Sequence, residues 1–448
     1  MISSVLVANR GEIALRVGRT CERLGITPHY VYELADQSLP HAQTHNSTPV
    51  QSYNNPAELV EVAVKVGAEA IHPGYGFASE NALFPQFAAE AGLEFVGPSF
   101  EAMTRLGNKQ EMLRQTRIAD IPRIPGSFLD ITDITGALDA AERIGFPVLA
   151  KGTASGGGRQ IKLLQTGKDV EAALGRLRKE NKAEEVYIQK FMTNVKHIEV
   201  QLLGDKQGTV VSLGTRDCSV QRRFQKLIEE APSMLPESVR LEVEQAAVRV
   251  ANLADYVCAS TVEFLVDEDY NYYFMEVNPR LQVEHCVTEE VYGVDIVEHQ
   301  LRVTAGESLD HALFDLTPQG HSIQCRINAE DPSNEFLPTA GRLTEYRPPK
   351  EKSGKVRFES FLRPDIIVPT VYDSLVAKLI VRSATRAEAI STMLAELERL
   401  KVEGFPTTIP FFKAVLKEKF FVAGHHKTSY IQLFQNDLLE LMAKEEIK

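Results

Sequence analysis

Two glutamates and an asparagine lie close together in the segment TVEFLVDEDYNYYFMEVNPR, residues 261–280. A turn near Asp269 makes Glu263 and Glu276 cross-strand neighbours about 5 Å apart. Alternation then places Val262, Phe264, Met275 and Val277 on the opposite, core-facing side, and Leu265 and Phe274 with the carboxylates. Two carboxylates at that spacing repel unless a cation lies between them. A hard divalent ion meets that need, with Asn278 as a third oxygen ligand. Without a cation, the same pair is two solvated glutamates on an exposed strand.

The hairpin runs directly into Arg280-Leu281-Gln282-Val283-Glu284-His285. Beside a metal–phosphate site, Arg280 could hold a small oxyanion while Glu284 removes a proton from it. Alone, an Arg and a Glu four residues apart make a surface ion pair. Lys151 ends an apolar strand and is followed by Gly156-Gly157-Gly158. Consecutive glycines let backbone N–H groups close on a phosphate chain, and a lysine adds charge. The order strand–loop–strand also suits a plain hairpin tip. Arg216-Asp217 and Gln221-Arg222-Arg223-Phe224-Gln225-Lys226 read as a small basic, solvated loop, and His197 and Glu199 alternate along a strand so that they face the same way.

Three kinds of region must position these groups. Up to about residue 107, short β-prone runs (2–8, 29–34, 70–73, 93–98) alternate with helical stripes, which predicts an open parallel α/β sheet. No GxGxxG follows the first strand. From there to about 320 the pattern is antiparallel and β-rich, with helices expected over 234–255 and 288–305. The last segment opens with SIQCRINAED and closes in helical stretches at 385–402 and 429–446.

The chain has 448 residues, enough for two to four domains and a large core. Lys and Arg total 49 against 61 Asp and Glu, a formal net charge of −12, which argues against nucleic-acid or anionic-membrane binding. The five cysteines form no CxxC pair, as expected of reduced thiols. No apolar run approaches the ~20 residues of a membrane span. The start lacks a basic, signal-like region. A cytoplasmic protein is expected, with organelle import left open.

The runs ANRGEIALR (8–16), AIHPGYGFASEN (70–81), GGGR (156–159), RDCSVQRR (216–223), KLIEEAP (226–232), EVNPRLQVEH (276–285), CRINAEDP (325–332) and YDSL (372–375) occur together and in this order. In them the chain resembles the biotin carboxylases, the ATP-grasp enzymes or domains of biotin-dependent carboxylases. The resemblance implies a mixed α/β and α+β fold. A preATP-grasp, Rossmann-like domain would cover 1–107 and an ATP-grasp domain 108–320, with a mobile lid at about 124–196. A C-terminal biotin carboxylase domain would cover 321–448. It also implies carboxylation of carrier-bound biotin by bicarbonate and ATP, through carboxyphosphate.

By the same resemblance, Lys109, Lys151, Gly157 and Gly158 would meet ATP phosphates. Gln189, Lys190, Phe191 and Met192 would line the adenine, Leu265 its floor, and His197 and Gln221 other nucleotide edges. Glu263, Glu276 and Asn278 match ligands of Mg²⁺ or Mn²⁺, a pair of ions in this family. Lys226, Arg280, Gln282, Val283 and Glu284 match the bicarbonate pocket, with Glu284 as base, and Tyr75 and Arg357 match positions near biotin. Implied partners are a biotin carboxyl carrier protein, a carboxyltransferase and a second copy of the chain. Phe224 replaces a usual His and Asn108 a usual Asp, while Ser155 and Gln160 stand where Gly is common. Thr215 and Gln189 stand at usual Glu positions, and Arg23 replaces an acidic residue on a helix used in family dimers. No Met-Lys-Met biotinylation site appears, so a free subunit or the front of a longer carboxylase is expected. EVNPRLQVEHCVTEE leans toward the pyruvate-carboxylase type; an acyl-CoA carboxylase fits as well. The competing readings are a nucleotide- or carrier-binding paralogue without activity, and another ATP-grasp ligase.

Overall fold

In the computed structural model, residues 2–130, 133–152, 161–180, 185–352 and 354–446 are described. The opening alternation folds into a parallel five-stranded sheet, in the order Ser47–Pro49, Thr27–Tyr32, Ser4–Val7, Ala70–His72, Glu94–Phe95. Val5, Leu6 and Val7 are fully buried, as in a strand covered on both faces. Strand order reverses beside Ser4–Val7, so the crevice beyond its carboxyl end is a topological switch point, where α/β sheets hold ligands. Asn9 sits there and donates from Nδ2 to the carbonyl oxygens of Pro73 (2.7 Å) and Tyr75 (2.9 Å). Gly74 permits this approach, since it has φ +63° and a Cβ there would lie 2.8 Å from Asn9 Nδ2.

The β-rich remainder forms an eight-stranded sheet in the order Tyr272–Asn278, Cys258–Val266, Lys196–Gly204, Val210–Arg222, Gln225–Ala231, His321–Asn328, Leu375–Ser383, Val356–Ser360. It crosses residue 320 without a break, because Ile228 pairs with Cys325 and Glu229 with Gln324. The chain segments on either side of the expected boundary therefore share one sheet.

A separate four-stranded sheet joins Gly126–Asp130, Glu185–Lys190, Val148–Gly152 and Ile161–Leu164. Its alternation buries Val148, Ala150, Val186 and Ile188 against helices Ile134–Ile144 and Gly167–Glu180. Lys151 and Gln189 fall on the other face, and Lys151 Nζ donates to Gln189 Oε1 at 3.0 Å. Gly156–Gly158, Ser155 and Gln160 lie outside the described residues.

The helix expected over 288–305 is two helices, His285–Tyr292 and Ile296–Thr304. Gly293 stops the first in the left-handed region at φ +67°, and Asp295 caps the second by accepting from the Glu298 N–H. Helix Arg386–Arg399 begins at a Thr385–Glu388 capping box. No helix among the described residues is long and apolar enough to cross a membrane.

Candidate active site

The hairpin pairs as its alternation predicts, with Glu263 opposite Glu276 and the turn spanning Asp267–Asn271. Asp267 fixes that turn by accepting from the N–H groups of Asp269 and Asn271. One expectation fails. A bulge admits Met275 as an extra residue, so Phe274 pairs with Phe264 and is buried with it in the core. Phe274 does not share the carboxylate face. Glu263 is buried and Glu276 exposed. Asn278 pairs with Thr261 and donates from Nδ2 to Glu263 Oε1 at 2.8 Å.

Strand Lys196–Gly204 lies on the other side, so Glu199 stands opposite Glu263 and His197 opposite Leu265. His197 Nε2 lies 3.2 Å from Glu263 and 3.5 Å from Glu199. Burial alone would lower the imidazole pKa; Glu263 and Glu199 outweigh it and push it up to about 9.

Lys226 lies at the centre. Its ammonium donates to Glu263 (2.9 Å), Glu284 (2.9 Å) and Glu199. Burial opposes the charges, yet the three carboxylates hold Lys226 well above its ordinary value. The far oxygen of Glu284 accepts from Arg326 Nη2 at 2.9 Å, and Arg326 Nε reaches Glu229. Glu284 is fully buried. Burial and Glu199 push its pKa up, but Lys226 and Arg326 win, and the carboxylate stays ionised.

The turn bearing Glu284 is held carbonyl by carbonyl. Arg280 Nη1 donates to Leu281 O (3.2 Å), Lys378 Nζ to Val283 O (3.0 Å), and the His285 N–H to Gln282 O (3.3 Å). Arg280 is steadied by Glu80 at 2.6 Å and by the Gln282 amide oxygen at 3.3 Å. The Gln282 amide nitrogen and the Tyr75 hydroxyl are buried without a hydrogen-bond partner. Buried polar groups of this kind ordinarily find one, so both atoms are candidates to meet a ligand.

Several assignments change. Arg216, read as part of a solvated loop, is fully buried and bonded to Glu199, Gln201, Thr261 and Thr288. Only the tip of that segment is exposed, Arg223 to Gln225, around a two-residue turn at Arg223–Phe224 with φ +50° and +65°. Phe224 points to solvent, away from any polar partner. Arg357 does not join Lys226 and Glu284. Its guanidinium goes to Glu289 (2.8 Å), Glu359 (2.7 Å) and Glu290 (3.4 Å). Arg326, two strands across the sheet, is the arginine against Glu284. Sequence reasoning left Arg326, Glu229 and Lys378 unassigned, although the first two sit in the quoted runs CRINAEDP and KLIEEAP.

Of the remaining positions, Gln221 pairs with Lys226 next to the Arg223–Phe224 turn, and Leu265 is half-buried beside His197. Lys190 Nζ donates to the carbonyl oxygens of Gly145 (2.8 Å) and Phe146 (3.2 Å), and the Phe191 N–H to Pro147 O. Phe191 and Met192 are half-buried. Lys109 opens helix Lys109–Ile118, whose cap is Asn108 accepting from the Glu111 N–H. Asn caps as well as Asp, so this replacement keeps the helix start. Arg23 pairs with Asp295 and Glu298 of the same chain at 2.7 Å each.

Comparison with known proteins shows the family. The family descriptions "Biotin carboxylase, N-terminal domain", "Carbamoyl-phosphate synthase L chain, ATP binding domain" and "Biotin carboxylase C-terminal domain" match residues 1–103, 108–312 and 324–433. Biotin carboxylase 1 of Bacillus subtilis is 40% identical over 447 residues, covering 97% of this chain and 99% of that protein. The biotin carboxylase domain of Hydrogenobacter thermophilus 2-oxoglutarate carboxylase, a dimer solved with MgADP, ADP and bicarbonate, superposes with a TM-score of 0.93. It is 39% identical and covers 98% of this chain and 99% of its own. Campylobacter jejuni biotin carboxylase gives 0.91 at 39% identity, covering 97% and 99%. With a near-complete match in length, in motif order and in fold, the chain belongs to the biotin carboxylase family.

Proposed function

We propose that this chain carboxylates biotin on a carrier protein, using bicarbonate and ATP and releasing ADP and phosphate. The observation that carries the reading is Glu284. It is an ionised carboxylate, fully buried, gripped by Lys226 and Arg326, two residues after Gln282 with its unpaired amide nitrogen.

Bicarbonate is a weak nucleophile and needs both a cationic seat and a base. Lys226, Arg280 and the Gln282 amide supply donors, and Glu284 takes the proton. When the substrate anion draws the hydrogen bonds of Lys226 and Arg326, Glu284 loses the cations that depress its proton affinity. Its basicity then rises at the moment it is used. The bicarbonate oxygen attacks the γ-phosphate of ATP, giving carboxyphosphate, whose breakdown releases CO₂ and a phosphate able to accept the biotin N1′ proton. Arg357 would stabilise the ureido enolate, while Arg326 holds Glu284. Tyr75, at the switch-point crevice, forms the biotin wall.

The donor set suits Mg²⁺ or Mn²⁺. Glu263 and Glu276 are register partners, hard oxygen ligands with the Asn278 amide beside them. Such an ion supplies charge neutralisation for the phosphates. Lys151, Gln189 to Met192, His197, Gln221 and Leu265 would seat the nucleotide, with Lys109 and Gly157–Gly158 on its phosphates. The four-stranded sheet would act as the lid. The domain limits 1–107, 108–320 and 321–448 are kept as units of recognition, although the last two share a sheet. A carrier protein, a carboxyltransferase and a second copy are the expected partners, in a cytoplasmic or organellar compartment.

The test is phosphate release from Mg·ATP with and without bicarbonate and free biotin. Stimulation requiring both ligands is expected. ATP binding without turnover would favour a regulatory paralogue, and turnover indifferent to biotin would overturn the acceptor.

A further inference from the structure

Lys378 is fully buried on strand Leu375–Ser383, opposite Arg326 on one neighbouring strand and Glu359 on the other. A lysine is almost never buried so completely unless its charge is paired. Its ammonium makes three contacts, each with a different part of the chain. It donates to the carbonyl oxygen of Val283 at 3.0 Å, lies 3.1 Å from Glu12 Oε1, and stands 5.6 Å from the centre of the Tyr75 ring. Glu12 belongs to the first helix, Gly11–Arg23, and is buried with both carboxylate oxygens otherwise unpartnered. Tyr75 follows strand Ala70–His72. Val283 is the residue before Glu284.

From this geometry we infer that Lys378 is a positioning residue. It ties the N-terminal Glu12 and Tyr75 to the backbone of the Val283–Glu284 turn, and so fixes the carboxylate of Glu284 relative to the biotin wall. The inference rests on the function proposed above. Glu284 precedes the His285–Tyr292 helix without capping it through its side chain. Lys226 and Arg326 hold its carboxylate, the preceding peptide sets where its backbone starts, and Lys378 is the side-chain donor to that peptide's carbonyl. A reacting group displaced by about 1 Å can lose on the order of 10²-fold in rate, so the anchor matters more than its distance from the chemistry suggests.

Removing the ammonium alone would strand the Glu12 charge in the interior, so the test uses Lys378→Met together with Glu12→Gln. The pair deletes both charges and keeps the volume. Three readouts are taken on the full chain: melting temperature, kcat and KM for each substrate, and amide hydrogen exchange across residues 281–286. The expected result is a melting temperature close to that of the unaltered chain. With it should come a fall of at least about tenfold in kcat, an unchanged KM for ATP, and faster exchange confined to 281–286. Unaltered kcat and exchange in a folded double variant would overturn the proposal, as would a loss of kcat that merely tracks a loss of folded protein. The exchange readout does not depend on turnover. If the unaltered enzyme showed no biotin-dependent phosphate release, the functional reading would fail while the anchoring of the turn was still decided.

Discussion

The two arginines Arg326 and Arg357 make a sharp prediction between them. Arg326 holds two buried carboxylates, Glu284 at 2.9 Å and Glu229 through Nε. Arg326→Gln leaves Glu284 with Lys226 and Glu229 with the Gln324 amide at 3.0 Å, so each acid keeps one partner. Breaking a buried pair costs about 3–5 kcal/mol. The loss should fall toward the lower end, since Glu229 is already pushed up by burial and can take a proton. Loss of one preorganised electrostatic donor costs about 10²–10³ in rate. Arg357→Gln differs in kind. Glu289 keeps Arg16 at 2.9 Å and Glu359 keeps Arg19, while Glu290, already pushed up by burial, can take a proton. The cost is that of charge-assisted hydrogen bonds, about 1.5–3 kcal/mol, so the variant stays folded while losing the donor proposed for the enolate. The assay is phosphate release at saturating Mg·ATP and bicarbonate, with and without free biotin, beside melting curves. Arg357→Gln should lose the biotin-stimulated part, and Arg326→Gln should lose stability together with turnover. The reasoning would be refuted by a folded Arg357→Gln that kept its full response to biotin.

Three further outcomes are expected. Glu284→Gln should lower turnover by about 10²–10⁴-fold, the usual worth of a general base, while nucleotide binding measured by calorimetry stays intact; undiminished turnover would remove Glu284 from its role. Glu276→Gln should raise the Mg²⁺ concentration needed for half-maximal velocity by at least about tenfold, and no change would mean that Glu276 is no ligand. His41 is buried with both ring nitrogens unpartnered, and burial lowers its pKa to about 4. Between pH 6.5 and 4 the unfolded chain binds a proton there that the folded chain refuses. Its contribution is therefore intact above pH 6.5 and lost toward pH 4, at roughly 1.4 kcal/mol per pH unit. His41→Leu should flatten the acid limb of a pH–stability curve, with the buried His72, also lowered to about 4, accounting for a second such slope.

Local pattern reached as far as pairwise rules reach. The period of two located the Glu263–Glu276 pair because a hairpin's register follows from its turn. It misplaced Phe274, because a single-residue bulge has no signature in the alternation that it interrupts. Glycine and Asp-capping chemistry at 293–295 was present in the sequence, yet the apolar spacing read straight through it and fused two helices. The buried arginines were harder. Arg326 reaches Glu284 across 42 residues, Arg16 reaches Glu289 across 273, and Arg216 looks like any loop arginine until the sheet closes over it. Spacing along the chain cannot rank several arginines against one carboxylate; only the strand order does.

The ANRGE run shows what such a motif encodes. None of its residues touches a proposed reacting atom. Asn9 holds the backbone of Tyr75, Arg10 makes a two-point ion pair with Asp36, and Glu12 meets Lys378. Further along the same helix, Arg16 joins Glu289 to Asp295. These side chains follow one strand end and one helix start, so a displacement of that turn moves the biotin wall and the Glu284 turn together. A change at Asn9 or Glu12 is thus expected to act on kcat through geometry. The same logic explains why the motif carries polar and charged residues that are buried, each satisfied by a partner from a distant part of the chain. Apolar residues there would pack well and would leave the two halves of the site free to drift apart.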